Sequence, residues 1–453
     1  MSQRADVVVC GAGIAGVAAA YHLAARKGVS RVTIVDEREP LTLTSDKGTQ
    51  GYRNWWPGPD ATMLRFISRS IDIMEEMADE SRNAFRLGRT GYLFVTGSKA
   101  GTDRLRETAH TVSGFGMGPV REHPGREAYR PAVRDGYRNQ PVGADLLAGE
   151  ELRRAFPFLA PEAHAALHVR RAGCMNGHAM GAWMLARALG AGATFVRDKV
   201  TRVATTGGRV RRVDLASGGS IDTDALVIAA GPMLPEAARL LGVELPVFHE
   251  LHAKLTLRDV LGIVPRTCPF VIWNDPVSIA WDDKRRRELS GEARTRHLLD
   301  ALPAGVHLRP VDGPYGDELF LIWTYHTEPC TATWPPAFDP HYGDVVLRGA
   351  AQMIPGLQRY VANAADGVVD GGYYCKTAEN RPLIGPLGVD GAFVLGALSG
   401  YGLMGAHAGA ELVAAHVVGG ALPDYARAFL PSRYEDPAYR AQVAAWDSLL
   451  GQL

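Results

Sequence analysis

The sequence predicts an α/β protein, α+β overall, with a Rossmann-like domain that is discontinuous along the chain and a second domain built on an antiparallel sheet. Three observations predict this fold. A strand–glycine turn–helix–strand unit opens the chain at residues 6–36. Apolar strands that end on glycine recur at 225–231 and 391–396. Residues 245–370 contain β-like runs separated by Pro-rich and Arg-rich loops, which is typical of an antiparallel sheet.

The N-terminal unit has the pattern of a dinucleotide-binding site. The apolar run 7–9 predicts a buried strand, and Gly11, Gly13 and Gly16 follow it with GxGxxG spacing. The first glycine permits a tight turn, the second lets the backbone approach a pyrophosphate, and the third lets helix and strand pack closely. The start of the helix offers N–H groups to phosphates. The next strand ends on Asp36, whose carboxylate can accept hydrogen bonds from a ribose.

The remaining elements alternate between nucleotide-domain and substrate-domain character. Residues 1–90, 145–235 and 371–453 are predicted to form the cofactor domain, and residues 91–144 and 236–370 the substrate domain. Helices are predicted at 61–84, 102–112, 150–156, 182–190 (after a glycine-rich turn at 173–181) and 403–418. Strands are predicted at 91–96, 193–196, 200–204, 247–257, 270–273 and 318–325, with a hairpin at 209–224.

Charge and cysteine usage narrow the class of protein. Lys and Arg number 49 and Asp and Glu number 49, and this zero net charge favours neither nucleic acid nor an anionic membrane as a partner. The five cysteines are scattered without a CxxC pair, so no disulfide framework or zinc site is predicted. Glycines and histidines interrupt the apolar stretches 7–25 and 392–422, which we interpret as strand–turn–helix units and not membrane spans. The fingerprint begins at Asp6, and we expect no signal peptide and a cytoplasmic location.

An ordered set of motifs extends over nearly the whole chain. It comprises the N-terminal fingerprint, Val200 in its strand, Ala229-Ala-Gly231, the segment 376–385 (KTAENRPLIG) and Ser399-Gly-Tyr-Gly402. This set resembles the D-amino acid oxidase superfamily of flavoproteins, in particular its glycine oxidase and sarcosine oxidase branch. The resemblance implies FAD, with adenosine at Asp36, pyrophosphate on the glycine turn and isoalloxazine near 402–404. The cofactor-binding residues so predicted are Gly11, Gly13, Ala15, Gly16, Asp36, Glu37, Ser45, Lys47, Val200, Ala230, Gly231, Gly400, Gly402, Leu403 and Met404.

Departures from the family pattern predict how the flavin is held. Covalent sarcosine oxidases have a cysteine just before the Thr-x-Thr segment, and Gly372 occupies that place here. Cys375 is interpreted as a buried thiol on the other side of the strand. The loop 45–49 (SDKGT) lacks the histidine that related dehydrogenases use for attachment. We therefore expect non-covalent FAD.

Further departures concern the substrate pocket. The carboxylate-binding lysine of sarcosine oxidases is replaced by Met404, and the run 321–326 (LIWTYH) lacks the lysine that precedes a Tyr-His pair in those enzymes. Together with Trp55-Trp56 and Trp323, this predicts a pocket more apolar than a small amino acid requires.

The resemblance implies oxidation of a C–N bond in an amino acid or a primary or secondary amine. Hydride would pass from the α-carbon to flavin N5, leaving an imine, and oxygen would reoxidise the flavin. No second strand–GxGxxG–helix unit is present for NAD(P)H, which favours electrons from the organic substrate. Three alternatives stay open: an amine dehydrogenase with another electron acceptor, an oxygenase served by a separate reductase, and an FAD-binding subunit of a complex. The oligomeric state is left open.

Four residues are candidate catalytic groups. Arg53 could clamp a substrate carboxylate in its fork or be an ordinary surface arginine. Tyr325 and His326 are placed on the predicted strand 318–325, where one would face the flavin and His326 could carry protons. A satisfied core histidine is the alternative for His326. Tyr401 could reach the substrate with its hydroxyl or pack against the ring.

Other polar residues receive structural interpretations. Lys47 is either near the flavin or solvated. Arg381 could reach the substrate, but a structural ion pair with a carboxylate such as Glu379 is the expected role. His249 and His252 lie three apart on a β-like run and should point to opposite faces, so no metal is predicted. The basic run 284–287 is interpreted as a solvated helix end.

Overall fold

The computed structural model describes residues 3–125, 128–134, 136–311 and 316–446. The predicted N-terminal unit is present as strand Val7–Cys10, helix Ile14–Tyr21 and strand Val32–Asp36. All residues of this helix are buried, which its Ala-rich sequence allows because small side chains let it lie close against its neighbours.

A six-stranded sheet, the nucleotide sheet, contains this unit. Its first five strands are parallel and its last pairs antiparallel, as expected for a doubly wound fold with an edge addition. The strand order is Thr194–Arg197, Val32–Asp36, Val7–Cys10, Leu226–Ile228, Ala392–Gly396 and Leu383–Pro386. The middle strands come from three distant parts of the chain, so this layer is discontinuous in sequence, as predicted.

A ten-stranded sheet, the large sheet, forms the second layer. It is mainly antiparallel, with parallel pairings of Phe270–Trp273 with Tyr92–Thr96 and of Val120–His123 with Ala144–Ala148. The order is Pro329–Cys330, Phe248–Arg258, Glu318–Ile322, His307–Val311, Phe270–Trp273, Tyr92–Thr96, Ala165–Val169, Ala144–Ala148 and Val120–His123, and Val368–Lys376 also pairs with Phe248–Arg258. Strands 144–148 and 165–169 thus pair in this sheet, although the predicted boundaries assign 145–235 to the cofactor domain. The boundaries themselves stay a prediction.

Two smaller sheets complete the β-structure of the described residues. One has the order Gln3–Arg4, Ser220–Asp222, Arg209–Leu215 and Val200–Thr206, which contains the predicted hairpin. The other pairs Gly51–Arg53 with Ala172–Cys174.

The helices follow the predicted order with shifted ends. The segment 173–181 is not a turn throughout, because a helix already begins at Gly177, capped by the side chain of Asn176. The α-helices are Ile14–Tyr21, Thr44–Lys47, Thr62–Glu80, Lys99–Val112, Gly149–Ala155, Gly177–Gly190, Leu234–Arg239, Asp283–Gly291, Tyr342–Met353, Gly402–Val418 and Pro437–Ala444. Within the described part of the chain, no helix combines the length and apolarity needed to cross a membrane.

One strand pairing in the large sheet positions the site. Phe248–Arg258 and Val368–Lys376 run antiparallel with Glu250 opposite Tyr374 and His252 opposite Gly372. Since directly opposed residues point to the same face, Glu250, His252, Tyr374 and Lys376 share one face of the pair, whereas Cys375 and its alternating neighbours share the other.

Candidate functional site

A cavity of about 300 Å³ lies at the carboxyl ends of the parallel strands of the nucleotide sheet. This is the place where α/β folds of this type bind ligands. We call it the cofactor cavity. Ten of the predicted cofactor residues line it: Gly11, Gly13, Ala15, Asp36, Glu37, Ser45, Val200, Ala230, Gly231 and Gly402.

The glycine turn is closed too tightly to accept side chains. Gly11 has a φ of +110°, and a Cβ there would overlap the carbonyl of Ala229 on the neighbouring strand. A Cβ at Gly16 would overlap the carbonyl of Gly11. No side chain therefore covers the backbone of the turn at the start of the helix, and a pyrophosphate can approach it closely.

Two side chains fix the rim of the turn. The Asp36 carboxylate accepts hydrogen bonds from Ala12 N at 2.7 Å and Arg38 N at 2.9 Å. Ser45 Oγ accepts one from Ile14 N at 2.9 Å, so it satisfies one of the first N–H groups of the helix. A carboxylate oxygen can accept more than one hydrogen bond, and Asp36 therefore keeps capacity for a ribose hydroxyl. The glycine turn without side chains, the N–H groups at the start of the helix and the Asp36 carboxylate together fit the adenosine diphosphate half of FAD.

Five predicted cofactor residues lie elsewhere. Gly16 packs beneath the turn, and the buried Leu403 lies outside both cavities. Lys47 forms ion pairs with Asp46 at 3.0 Å and Asp370 at 3.2 Å, which matches the solvated alternative better than a place beside the flavin. The other two, Gly400 and Met404, line a second cavity.

The second cavity, of about 680 Å³, meets the cofactor cavity at Ser399, which lines both. We call it the substrate cavity. Strand Val368–Lys376 borders the two, with Tyr373 and Cys375 on the cofactor side and Tyr374 on the substrate side. The aromatic residues lining the substrate cavity are Trp55, Tyr92, Phe94, Phe270, Tyr374 and Tyr401. Of the residues from which an apolar pocket was predicted, Trp55 and Met404 line this cavity and Trp56 does not, and polar side chains, among them Arg53 and His252, line it as well.

Arg53 enters the substrate cavity from the short strand Gly51–Arg53. The residue is only 8% exposed, and its guanidinium lies over the ring of Tyr92 at 5.5 Å from the centroid. Burial lowers the pKa of Arg53, and Tyr92 opposes this shift. Since an arginine stays charged in proteins, the cavity contains a buried cation. The surface alternative for Arg53 is therefore wrong.

Tyr401 lines the cavity with its ring, because its hydroxyl is engaged elsewhere. The hydroxyl donates a hydrogen bond to the carbonyl of Asn380 at 3.0 Å, and the ring meets Trp56 edge-on at 5.2 Å. Burial raises the pKa of Tyr401 well above its usual value. Tyr401 is thus placed to shape the cavity wall.

Tyr325 and His326 line neither cavity, in contrast to their predicted placement. The predicted strand 318–325 ends at Ile322, because Trp323 N donates a hydrogen bond to the hydroxyl of Tyr342 at 3.1 Å and not to a neighbouring strand. Trp323 and Tyr325 then pack in the core, and the side chain of His326 is 41% exposed. The core alternative for His326 therefore does not hold, and Trp323 does not contribute to the pocket. The segment still reaches the substrate cavity through Ile322.

A buried polar chain, which sequence reasoning missed, reaches the substrate cavity through His252. Its Nε2 lies 2.9 Å from a carboxylate oxygen of Glu250, which also accepts a hydrogen bond from Lys376 Nζ at 2.8 Å. The His252 ring stacks on Tyr374 with centroids 3.9 Å apart, and both rings line the cavity. Burial opposes ionisation of Glu250, but hydrogen bonds from His252 and Lys376 outweigh it and lower its pKa to about 2. Strand alternation predicted that His252 and His249 point to opposite faces, but the local sequence could not show which of the two faces the substrate cavity.

The remaining candidates are structural. Arg381 pairs with Asp60 at 2.7 Å, while Glu379 pairs instead with Arg433 at 2.8 Å, so the expected ion pair exists with a different carboxylate. The run 284–287 lies within helix Asp283–Gly291, as expected. Burial raises the pKa of the Cys375 thiol to about 12, in agreement with an inert buried cysteine. No group of three or more His, Cys, Asp or Glu side chains suited to a metal ion occurs among the described residues.

Comparisons with known proteins agree with this geometry. Among curated proteins, an uncharacterized oxidoreductase, YurR, of Bacillus subtilis (strain 168) is 23% identical over 268 residues. That match covers 56% of this chain, and the chain spans 63% of the relative's length.

Solved structures share the fold over almost the full chain. L-proline dehydrogenase from P. horikoshii superposes with a TM-score of 0.73 at 19% identity, covering 96% of this chain and 99% of that one. Glycine oxidase from Geobacillus kaustophilus gives 0.69 at 17% identity, covering 93% and 96%. Iminodiacetate oxidase from Chelativorans sp. BNC1 gives 0.69 at 21% identity, covering 94% and 98%.

The family assignment rests on the sequence itself. The pattern of the DAO family, described as FAD dependent oxidoreductase, matches residues 6–416. This range includes the glycine turn, the strands of both large layers and the final glycine–helix unit that border the two cavities. The chain is therefore an enzyme of the DAO family of FAD-dependent oxidoreductases.

Proposed function

We propose that this enzyme oxidises a C–N bond in an amino acid or another amine that carries a carboxylate, giving an imine. One observation carries the proposal: the buried cation of Arg53 lines a cavity with aromatic walls that adjoins the cofactor cavity at Ser399. An arginine fork in an apolar enclosure suits a carboxylate, which it binds through two hydrogen bonds. This substrate class is supported by the names of three structural neighbours, which are a proline dehydrogenase, a glycine oxidase and an iminodiacetate oxidase.

In this proposal, the chain's residues position the reactants. The glycine turn and Asp36 would hold the adenosine diphosphate half of FAD, and the segment 400–404 would border its ring. Bound FAD supplies the hydride acceptor. Arg53 would hold the substrate carboxylate, and the rings of Tyr401 and Tyr374 would exclude water and fix the substrate's orientation. We also propose that the chain is divided into a cofactor domain and a substrate domain, as the sequence predicts.

We propose that FAD is held without a covalent bond. At the place where covalent relatives have cysteine, Gly372 lies against Thr44, and a Cβ there would approach Thr44 Cα to 3.1 Å. A thiol at this position would therefore require Thr44 to move. Cys375 lines the cofactor cavity, but burial raises the pKa of its thiol to about 12, so the thiolate that covalent attachment needs is not formed near neutral pH.

We propose oxygen as the electron acceptor, with an amine dehydrogenase as the second candidate. One observation favours the second. The run 321–326, which corresponds to the sarcosine oxidase segment with a lysine before its Tyr-His pair, has no lysine, and it lines the substrate cavity through Ile322 and Thr324. The proline dehydrogenase among the structural neighbours is named for this type of reaction.

Anaerobic reduction of the bound flavin tests the proposed reaction. Mixing the FAD-loaded enzyme with a panel of amino acids and secondary amines is expected to bleach the flavin absorption near 450 nm with at least one carboxylate-bearing amine. Air is then readmitted: recovery within seconds indicates an oxidase, and slow recovery indicates a dehydrogenase. A flavin that no member of the panel bleaches would overturn the proposed function and favour the oxygenase or subunit alternatives.

Replacing Arg53 with methionine tests the carboxylate contact. The change keeps much of the side-chain volume over Tyr92 but removes the cation, and we expect kcat/KM to fall about 30-fold, the effect of ~2 kcal/mol for a lost buried ionic contact. The matched control is Arg104→Met at the cavity wall, where the arginine side chain is 66% exposed, and this variant should change kcat/KM less than about threefold. An Arg53→Met enzyme that discriminates against a decarboxylated substrate as strongly as wild type would place the carboxylate elsewhere.

A further inference from the structure

The chain of Lys376, Glu250 and His252 ends at the substrate cavity and is not explained by cofactor binding. The Glu250–Lys376 pair is almost fully enclosed, with side chains 11% and 1% exposed, whereas the His252 ring lines the cavity. A buried ion pair costs desolvation, and a well-packed apolar pair would often be as stable. The Glu250–Lys376 pair lies beneath a histidine that lines the cavity, which indicates that the pair sets the tautomer and orientation of His252.

Glu250 determines which nitrogen of His252 carries the proton. Its carboxylate can only accept, so His252 Nε2 carries the hydrogen and donates it across the 2.9 Å contact. Nδ1 of the neutral ring then keeps its lone pair, and it makes no hydrogen bond to any residue that the structure describes. Stacking on Tyr374 at an interplanar angle of 15° holds the ring plane. Tautomer and orientation are both fixed, which is how a carboxylate prepares an imidazole for proton transfer.

We propose that His252 accepts a proton from the substrate's ammonium group at Nδ1, with Glu250 and Lys376 as positioning residues. This inference rests on the proposed function. The proton leaves the substrate nitrogen and binds Nδ1, the substrate becomes the neutral amine that C–N oxidation requires, and His252 becomes an imidazolium paired with Glu250. No electrons move in this step, and no further reactant is needed.

The charges around His252 support proton acceptance near neutral pH. The titratable and charged groups around His252 are Glu250 on the same strand, Tyr374 and Lys376 on the adjacent strand, and His307, which lines the same cavity and also interacts with Arg53. Burial lowers the pKa of His252, and the hydrogen bond to Glu250 opposes this. Burial also lowers the pKa of His307, to about 4, so this second histidine is neutral. His252 is therefore neutral at physiological pH, and Glu250 offsets part of the cost of forming the imidazolium.

The test compares two substitutions in the FAD-loaded enzyme. His252→Gln places an amide where it can still donate to Glu250 but has nothing at the Nδ1 position. His252→Asn places an amide oxygen near Nδ1 but cannot gain a proton. With a substrate found in the anaerobic panel, wild type should show kcat/KM falling tenfold per pH unit below a pKa under 6.5, because protonated His252 cannot accept. Neither variant has a group that can take the ammonium proton, so only the neutral-amine fraction of the free substrate reacts, and the fall in kcat/KM should begin at the higher pKa of the amine itself. At pH 7, kcat/KM of His252→Gln should fall about 100-fold.

Equilibrium binding gives a readout without turnover. The ligands are the α-methyl analogue of the substrate, which has no hydrogen to lose from the α-carbon, and the carboxylate that lacks the amino group. Flavin absorption changes report both. His252→Gln should weaken the α-methyl analogue about tenfold and leave the carboxylate unchanged, whereas His252→Asn should bind both like wild type. The matched control is His110→Gln, an exposed histidine on helix Lys99–Val112, which should keep the acidic limb.

Two results would overturn the assignment of His252. One is an unchanged acidic limb in both variants. The other is an equal loss of affinity for the two ligands, which indicates a packing role alone. If either result is found while the substrate still bleaches the wild-type flavin, only the role of His252 is overturned and the proposed reaction stands. If no amine bleaches the wild-type flavin, the proposed reaction itself is overturned.

Discussion

Replacing Glu250 with glutamine is expected to lower the free energy of unfolding by about 3 kcal/mol at pH 7, because it leaves the Lys376 ammonium buried without its counter-charge. Lys376 is almost fully buried, and its ammonium bonds to Glu250 at 2.8 Å. Burial lowers the pKa of Lys376, and Glu250 opposes that shift. Urea unfolding of the FAD-free proteins, followed by tryptophan fluorescence, measures the difference.

The pH dependence of this difference has a defined sign. Glu250 has its pKa lowered in the folded state, from 4.5 to about 2. Its ionised form therefore stabilises the fold fully above about pH 4.5, and this contribution is lost as the pH falls through 2. The gap between wild type and Glu250→Gln should accordingly narrow between pH 4.5 and the lowest pH at which both proteins fold.

A second substitution separates charge from packing. In the double variant Glu250→Gln, Lys376→Met no ammonium is buried, and the glutamine oxygen can still accept from His252. We expect this protein to be more stable than Glu250→Gln alone, since removal of both partners of a buried pair costs less than removal of one. If the double variant were less stable by the sum of the two single effects, Lys376 and Glu250 would not be coupled.

The cofactor cavity could be predicted from the sequence because its residues are close together in the chain or belong to a fixed motif. Glycine spacing reports backbone geometry directly: Gly11 has the positive φ and close approach that the pattern implies. The carboxylate of Asp36 follows at the end of the next strand, and the two strands pair in parallel. Local chemistry and local topology are sufficient here.

The substrate cavity depended on long-range pairing, which no local pattern provides. His252 and Tyr374 meet because strands more than a hundred residues apart pair in one particular register, in which a shift by one residue would exchange the two faces. The error at Tyr325 and His326 has the same origin. The apolar run continues past Ile322, but the chain leaves the sheet there because the Tyr342 hydroxyl, from a helix, binds the next backbone N–H.

Replacing Gly11 with alanine is expected to destabilise the protein by about 3 kcal/mol and to weaken FAD binding about 100-fold. At a φ of +110° a Cβ is strained, and it would also overlap the Ala229 carbonyl. Relief by backbone movement is costly, since Gly11 N donates to Val35 O at 2.9 Å and Ala229 N donates to Cys10 O at 2.8 Å. Both bonds join central strands of the nucleotide sheet at the turn where the pyrophosphate would bind.

Gly28→Ala is the matched control, because it separates backbone strain from damage to the turn. Gly28 also has a positive φ, of +71°, but a Cβ there would meet nothing within 4 Å. This variant should lose only about 1 kcal/mol through the left-handed conformation and bind FAD like wild type. Urea midpoints of the FAD-free proteins and quenching of FAD fluorescence on titration measure the two effects. A Gly11→Ala protein that binds FAD with wild-type affinity would show that the pyrophosphate is not held on this turn, since displacement of Ala229 or Gly11 must alter the cradle for it.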